Sequence, residues 1–481
     1  MRKHKLISLP GARRQRGFVT LPMLGAGVGY QIDQSLLFDR SASAYFTRTP
    51  TVAGNRKTWT LSMWVRRAVF DVKHALFGAG DSAANSPLGA GPGLAVMFNP
   101  ATSNYYDFVA GGGVSTRVTT NAVFRDPLGW YHLMVAVDTT QATASDRVKL
   151  YVNGVLVTSL LNTTYPALNF EWYVNSTAAT HYLGVHNDAG SIAAPLDGYM
   201  AEVHFVDGQQ LAPTAFGKFD ANGVWVPKKV TGLTYGTNGF YLPFDDATSP
   251  TTLGYDRSGK GNHWTPSAGV AATDQVADSP TSVYPVLNGV RPATGGTLTD
   301  GALVWSTGTG TYPMQLSATM ALPASGKWYW EVTPDNAAPA NGYAVGIIGK
   351  DDVNDALDVG TAGQKNVAWD SRGNTYVNGT ATASSAFTTS DVIGIAVDYS
   401  AASVKFYKNG TLAETITGLD TTVVWLPVAY DNTGVATPRY TFNFGQRAFA
   451  YTPPTGFKAL CTANLPKPSI EDGTKYMNTV L

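Results

Sequence analysis

The 481-residue chain is predicted to be all-β: two antiparallel β-sandwiches behind an extended N-terminal arm. Three observations carry that expectation. Short runs of alternating apolar and polar residues recur along the chain, parted by Gly, Asn, Asp and Pro, with no helical period. The 50 glycines and only 14 % charged residues suit many tight turns on a neutral, polar surface. Finally, VKLYVNG (148–154) and VKFYKNG (404–410) write one plan twice, each after an apolar run ending in Asp: WYHLMVAVD (130–138) and DVIGIAVD (391–398). A strand followed by Asn-Gly signals a hairpin with a type I′ turn, because both residues tolerate positive φ.

Length and composition narrow the function. A chain of this size needs two or three domains. Its formal net charge is zero, which argues against nucleic acid as a partner, since phosphate contacts need a clustered positive field. The lone Cys461 excludes an internal disulfide and a cysteine-built metal site. Charge is uneven only at the start, where Arg2, Lys3, Lys5, Arg13, Arg14 and Arg16 precede the first acid, Asp33. The apolar stretch that follows, GFVTLPMLGAGVGY (17–30), is broken by Pro22 and by glycines, lacks a small-x-small cleavage site, and is too short to span a bilayer. Residues 1–30 are therefore expected to form a basic, extended docking arm. Phe18, Leu21 and Leu24 would fill apolar pockets of a partner, and no membrane insertion is expected. The alternatives are a targeting signal or a disordered basic tail.

From Tyr30 the strands follow in order. SLLFDRSASAYFTRTP reads as two strands about a polar turn, and WTLSMWVRRA places Trp59, Leu61, Met63 and Val65 on one face. LAVMFN, YYDFVAG, WYHLMVAVD, VKLYVNG, HYLGVH and GYMAEVHFVDGQQL complete a first sandwich over residues 31–245. Residues 246–300 are rich in Thr, Ser, Pro and Gly and read as an ordered connector. GKWYWEVTP, GYAVGIIG, VAWDSRGNTYVNG, DVIGIAVDYS, VKFYKNG and WLPVAYD build a second sandwich over 301–449. In it Trp328 and Trp330 alternate with Tyr329, so one face is expected buried and the other open. Residues 450–481 read as an extended tail.

Two families are resembled. WTLSMWVRR, GWYHLMVAVD, VKLYVNG and GYMAEVHFVDGQQLAP are similar to a laminin-G-like, concanavalin A-type lectin domain, which implies a jelly-roll sandwich. GKWYWEV, GYAVGII and DVIGIAVDYSAASVKFYKNG resemble a SPRY domain. The joining phrases YQIDQSLLFDRSASAYFTRTP, FGKFDANGVWVPK, GTNGFYLPF, DRSGKGNHWT and GFKALCTANLPKPSI resemble tailed-phage structural proteins with the same tandem. That resemblance implies a virion protein, in a tail fibre or on the capsid surface, with other virion proteins as partners. It also implies a homotrimer, and a host-surface glycan or receptor as ligand.

Catalysis is not expected. Glucanases of the lectin-like fold place paired carboxylates along one strand as Glu-x-Asp-x-Glu, and a retaining pair stands about 5 Å apart. The five glutamates here are Glu171, Glu202, Glu331, Glu414 and Glu471, and none has such a neighbour. Glu202 has Asp207 five positions on, an odd offset that sets the two on opposite faces of a regular strand. No cofactor is expected. Asp351, Asp352, Asp355 and Asp358 could ring a calcium ion, or form an acidic surface loop, and Asp188 is a second candidate calcium ligand. Candidate ligand contacts are Trp172 and Tyr173 in FEWYVNST, His186 and Asp188 in HYLGVHND, and Trp369 with Asp370 in the SPRY-like region. Each aromatic has core packing as its structural alternative. The alternative functions are a purely structural decoration or adaptor, and a secreted bacterial lectin.

Overall fold

The computed structural model describes residues 29–70, 72–80, 93–99, 104–111, 116–290, 296–307, 314–335, 342–353, 358–431 and 438–466. The arm residues Arg2, Lys3, Lys5, Arg13, Arg14, Arg16, Phe18, Leu21 and Leu24 lie outside them, as does Asp355. Among the described residues no helix is long and apolar enough to cross a membrane.

Two sheets face each other in the first sandwich. One is ordered Val155–Leu156, Val148–Val152, Tyr131–Asp138, Thr58–Arg67, Gly198–Asp207, Ser35–Phe38 and Gln275–Val276, with Phe240–Leu242 also pairing to Gly198–Asp207. The other is ordered Leu160–Thr164, Thr116–Val123, Tyr105–Ala110, Leu94–Asn99, His74–Ala79, His181–Leu183, Phe46–Arg48 and Thr265–Pro266. The inward side chains of alternating strands, Trp59, Leu61, Met63 and Val65 with Leu133, Val135 and Val137, meet Phe77, Val96 and Phe108 in one core. The alternation expected for 59–65 is thus realised.

Most of the stretch read as a connector is built into this sandwich. Thr265–Pro266 pairs with Phe46–Arg48, and Gln275–Val276 pairs with Ser35–Phe38, so it closes one edge of each sheet.

The second sandwich repeats the plan. One sheet runs Thr297–Thr299, Val304–Ser306, Arg439–Asn443, Lys327–Asp335, Ile393–Asp398, Ser403–Lys408 and Thr411–Thr417. The other runs Met314–Ser317, Trp425–Asp431, Tyr343–Gly349, Asn366–Asp370, Asn374–Val377 and Thr380–Ala383. The tail begins docked: Lys458–Ala459 pairs in parallel with Lys327–Asp335, and Leu460 and Cys461 enter the core. This corrects the expectation for strand 327–335, where Trp328, Tyr329 and Trp330 are all buried. Phe449 stands edge-on to Tyr329 at 5.0 Å, and Glu331 accepts the backbone N–H groups of Ala450 and Tyr451 at 2.8 and 2.9 Å. The chain after the sandwich covers the face expected to be open.

The two Asn-Gly turns form as read. Asn153 and Gly154 have φ of 47° and 77°, and Asn409 and Gly410 have 49° and 78°. The likeness goes further than the turn. The side-chain oxygen of Asn153 accepts the His132 N–H at 2.8 Å, and that of Asn409 accepts the Val392 N–H at 2.8 Å. Each asparagine therefore ties its turn to the head of the neighbouring strand.

Candidate functional site

Four of the six predicted contact residues serve the core. Trp172 is fully buried, edge-on to Phe170 and Phe108 at 4.8 and 5.5 Å. Arg56 draws its segment inward, the Nε donating to the Trp172 carbonyl at 2.5 Å. No ring face is left for a sugar, which corrects the expectation for this residue. Trp369 is also fully buried, donating its Nε1 hydrogen to the Ser385 carbonyl at 2.7 Å and packing on Phe387. Asp370 beside it is a buried turn clamp, accepting the N–H of Arg372 and Asn374 at 3.0 and 2.8 Å and pairing with the Arg372 guanidinium at 3.0 Å. His186 is buried, and burial holds its imidazole below the usual histidine range. Trp172 and Trp369 belong to different cores, so no single ligand face holds both.

The other two lie nearer the surface. Tyr173 is half-buried with the Arg56 guanidinium over its ring at 5.9 Å. Asp188 is half-buried in the small hairpin of His186–Asp188 and Ser191–Ala193. Asp352 accepts the Lys365 N–H and Asp358 accepts the Gly360 N–H, while Asp351 pairs with Lys350. Among the described residues no group of three or more His, Cys, Asp or Glu is arranged to hold a metal ion.

A polar cluster escaped sequence reasoning. Strand Gly198–Asp207 pairs with Thr58–Arg67 through an irregularity between Ala201 and His204, where Glu202 adopts a φ of 50°. This β-bulge turns Glu202 to the outer face beside His204. There its carboxylate accepts the hydroxyls of Tyr241 at 2.8 Å and Tyr30 at 3.3 Å, with His204 Nε2 at 3.8 Å. Ser62 and His132 Nε2 lie 2.8 Å apart, and His204 Nδ1 meets the Tyr235 hydroxyl at 2.8 Å. Burial and then the neighbouring His204 push His132 down to about 3, while burial and then Glu202 push Tyr30 up to about 12.

A serine–histidine pair invites comparison with a nucleophile relay, but that chemistry needs a third group orienting the same imidazole. His132 Nδ1 has no partner, and Glu202 faces His204 instead. Phe216, Pro227 and Lys228 line the cluster and leave no room for a water molecule. Asp207 is engaged elsewhere, accepting from the Asn55 and Asn238 backbones at 2.8 and 3.0 Å. The cluster is a polar clasp under the covering segment. Its sequence signal is a polar residue at an outward position on each of three neighbouring strands, Ser62, His132 and His204.

A cavity of about 480 Å³ opens where the two sandwiches meet. Arg40 and Ser41 follow the strand Ser35–Phe38, Val69, Phe70 and Val72 follow Thr58–Arg67, and Asp197 precedes Gly198–Asp207. Gly289 and the strand Thr297–Thr299 supply the opposite wall. Asp197 is 1 % exposed; its Oδ1 accepts the Gly301 N–H at 3.0 Å while Oδ2 has no partner, and Arg40 Nη1 has none either. Burial, then Asp39, holds the Asp197 carboxyl well above the usual carboxylate range.

With this geometry in hand, comparison with known proteins defines the class. Residues 40–213 match the laminin-G-type domain of the concanavalin A-like lectin/glucanases superfamily, and residues 327–445 match the SPRY domain. The chain carries these two domains in tandem. Both are classes that typically bind rather than catalyse.

Solved structures with some likeness include the SPRY domain of human HERC1, at 20 % identity and TM-score 0.28, covering 31 % of this chain and 95 % of that one. The TRIM65 PSpry domain has 13 % identity and TM-score 0.27, covering 33 % and 91 %. The heptameric SAP-like pentraxin of Limulus polyphemus has 11 % identity and TM-score 0.28, covering 38 % and 78 %. Comparison with curated protein sequences gave no match.

Proposed function

We propose that this chain is a non-enzymatic structural protein of a phage particle, displaying its tandem domains to bind a host-surface glycan or receptor. The observation that carries the reading is the tandem itself, two binding-domain classes joined through one continuous core. The joining phrases that resemble tailed-phage proteins support it further. They build structure rather than link it: Asp256 in DRSGKGNHWT accepts the Tyr241 and Asn262 N–H groups at 2.8 and 2.9 Å, and Trp264 enters the first core. The missing carboxylate pair supports a binding role over a hydrolytic one. In this reading residues 1–30 dock on other virion proteins and the copies assemble as a homotrimer.

Removing residues 1–29 tests the virion role. The truncated chain is expected to stay folded and soluble while losing incorporation into particles, as seen by electron microscopy. Particles carrying it at normal occupancy would refute docking by the arm and move the role to the C-terminal tail. Incubation with host polysaccharides should release no reducing ends; saturable release abolished by Glu202→Gln would overturn the non-enzymatic reading. Particles that carry the protein but adsorb equally well without it would favour a purely structural decoration.

A further inference from the structure

Asn-Gly occurs seven times in the chain, and six of the pairs lie within the described residues: 153–154, 222–223, 238–239, 288–289, 378–379 and 409–410. The pair has a chemistry of its own. The glycine amide nitrogen attacks the asparagine Cγ, expelling the side-chain amide as ammonia and closing a succinimide ring. Water then opens the ring at either carbonyl, leaving aspartate or, with the main chain rerouted through Cβ, isoaspartate. Glycine favours the attack because no Cβ hinders the approach of its nitrogen. The step needs a side chain free to swing toward that nitrogen and a glycine free to move to meet it.

Five of the six pairs lack one or both freedoms. Asn153 Oδ1 is held by the His132 N–H, and Gly154 lies against the Trp225 ring. In Asn409 both ends of the amide are held, Oδ1 by the Val392 N–H at 2.8 Å and Nδ2 by the Asp391 carboxylate at 2.7 Å. Asn238 is buried, its Oδ1 accepting from Arg48 at 3.1 Å and its Nδ2 donating to the Val52 carbonyl at 2.9 Å. Asn288 Oδ1 accepts the Val290 N–H at 3.1 Å, and Gly289 stands against the Ala68 carbonyl. At Asn378 the nucleophile is held instead. The Gly379 N–H donates to the buried Asn366 side chain at 3.0 Å, and the Thr361 carbonyl crowds the glycine.

Asn222 differs. It stands at the tip of the hairpin of Gly217–Phe219 and Trp225–Pro227, and both it and Gly223 are exposed. Its side-chain amide makes no hydrogen bond among the described residues. A Cβ on Gly223 would meet nothing within 4 Å. One turn bond holds the nucleophile, from the Gly223 N–H to the Asp220 carbonyl at 3.1 Å, and an exposed bond of that kind opens at little cost in free energy. We propose that Asn222 is a site of spontaneous deamidation, at which the folded protein converts to aspartate and isoaspartate while the other five pairs are protected.

The product alters the segment that covers the polar cluster. A carboxylate replaces a neutral amide two residues from Asp220, whose Oδ1 accepts the N–H groups of Asn222 and Val224 at 2.9 and 2.8 Å. The isoaspartyl form also lengthens the main chain inside this turn, so the two bonds lose their spacing. The hairpin thereby carries a covalent record of the protein's age.

The test incubates the full chain in mildly alkaline buffer, beside the same chain unfolded in guanidinium chloride. Peptide mapping by mass spectrometry reads the amide-to-acid conversion at each pair, and isoaspartyl methyltransferase labelling reads the isoaspartate formed. Unfolded, the six pairs should convert at similar rates, because each has the same glycine neighbour. Folded, Asn222 should convert at least tenfold faster than any of the other five, and Asn222→Gln should remove most of the isoaspartate label. Another of these pairs converting as fast as Asn222 in the folded chain would overturn the proposal. So would an intact Asn222 after the unfolded chain has reacted, or a label unchanged in Asn222→Gln.

Discussion

Asp278 and Arg66 form a fully buried ion pair, and what surrounds them sets its worth. The Arg66 guanidinium also donates to the carbonyls of Pro127 and Tyr284 at 2.8 and 2.9 Å, and Trp130 donates to Asp278 at 3.1 Å. Removing one partner strands the other charge in the interior. Asp278→Ala should therefore cost about 3–5 kcal/mol in chemical denaturation, whereas the double change Arg66→Met with Asp278→Leu should cost far less. Equal losses would show that packing, not charge, holds this point.

His132 gives a pH signature. Its folded value of about 3 lies below the unfolded value near 6.5, so the unfolded chain takes up the proton first as pH falls. Its contribution is complete above about pH 6.5 and is lost progressively toward pH 3, by up to roughly 1.4 kcal/mol per pH unit. Asp274 and Asp278, both pushed up to about 6 chiefly by burial, act in the opposite sense between about 6 and 4. Their effect cancels when wild type and His132→Gln are compared. The variant should lose less stability than wild type between pH 7 and 4; parallel pH profiles would contradict the assignment.

At the scale of the elements, the repeated Asn153-Gly154 and Asn409-Gly410 hairpins are each locally constrained. A Cβ on Gly154 would stand 2.2 Å from the Trp225 ring, and one on Gly410 would stand 2.5 Å from Tyr451. Positive φ already penalises a side chain there, so each Gly→Val should cost at least about 1 kcal/mol, with ring displacement adding to it. Urea denaturation reads the loss, and an unchanged midpoint in either variant would contradict the turn assignment. The bulge at Glu202 is the contrasting case, a strand irregularity that re-aims one carboxylate. It leaves the expected separation from Asp207 intact, because His204 beside Glu202 faces outward while Phe205, two residues before Asp207, faces the core.

At the scale of the molecule, the sandwiches share a core instead of a hinge. Leu37, Ala68, Leu128 and Tyr199 of the first pack in the same cluster as Trp305 and Trp330 of the second. Arg447 reaches across to the segment that closes the first sandwich, its Nε donating to the Thr273 carbonyl at 3.3 Å and Nη2 standing 3.9 Å from Asp274, and the Ala277 N–H donates to the Gln446 carbonyl at 2.8 Å. Domains joined by a small polar interface usually move independently, but a hydrophobic one couples them. Scanning calorimetry should accordingly show one transition for wild type, and Arg447→Ala should broaden or split it. Two resolved wild-type transitions would contradict the coupling.

The residues alone specified what neighbours along the chain can encode. Alternation at 59–65 announced a strand and its inward face, and Asn153-Gly154 and Asn409-Gly410 announced their turns, because period and permitted φ are local properties. Packing decided the remainder. Trp172 and Trp369 stand beside polar residues in the sequence, and only distant Phe108 and Phe406 show that both are core. The stretch 246–300 has the composition of a linker, yet two of its short strands, Thr265–Pro266 and Gln275–Val276, close both sheets of the first sandwich, since edge pairing depends on which strands come near and not on propensity. The junction cavity gathers Arg40, Phe70, Asp197 and Leu298 from far apart, and no spacing rule connects them. Local order followed from local chemistry; the meeting of surfaces, and with it the candidate site, came from the docking of one sandwich on the other.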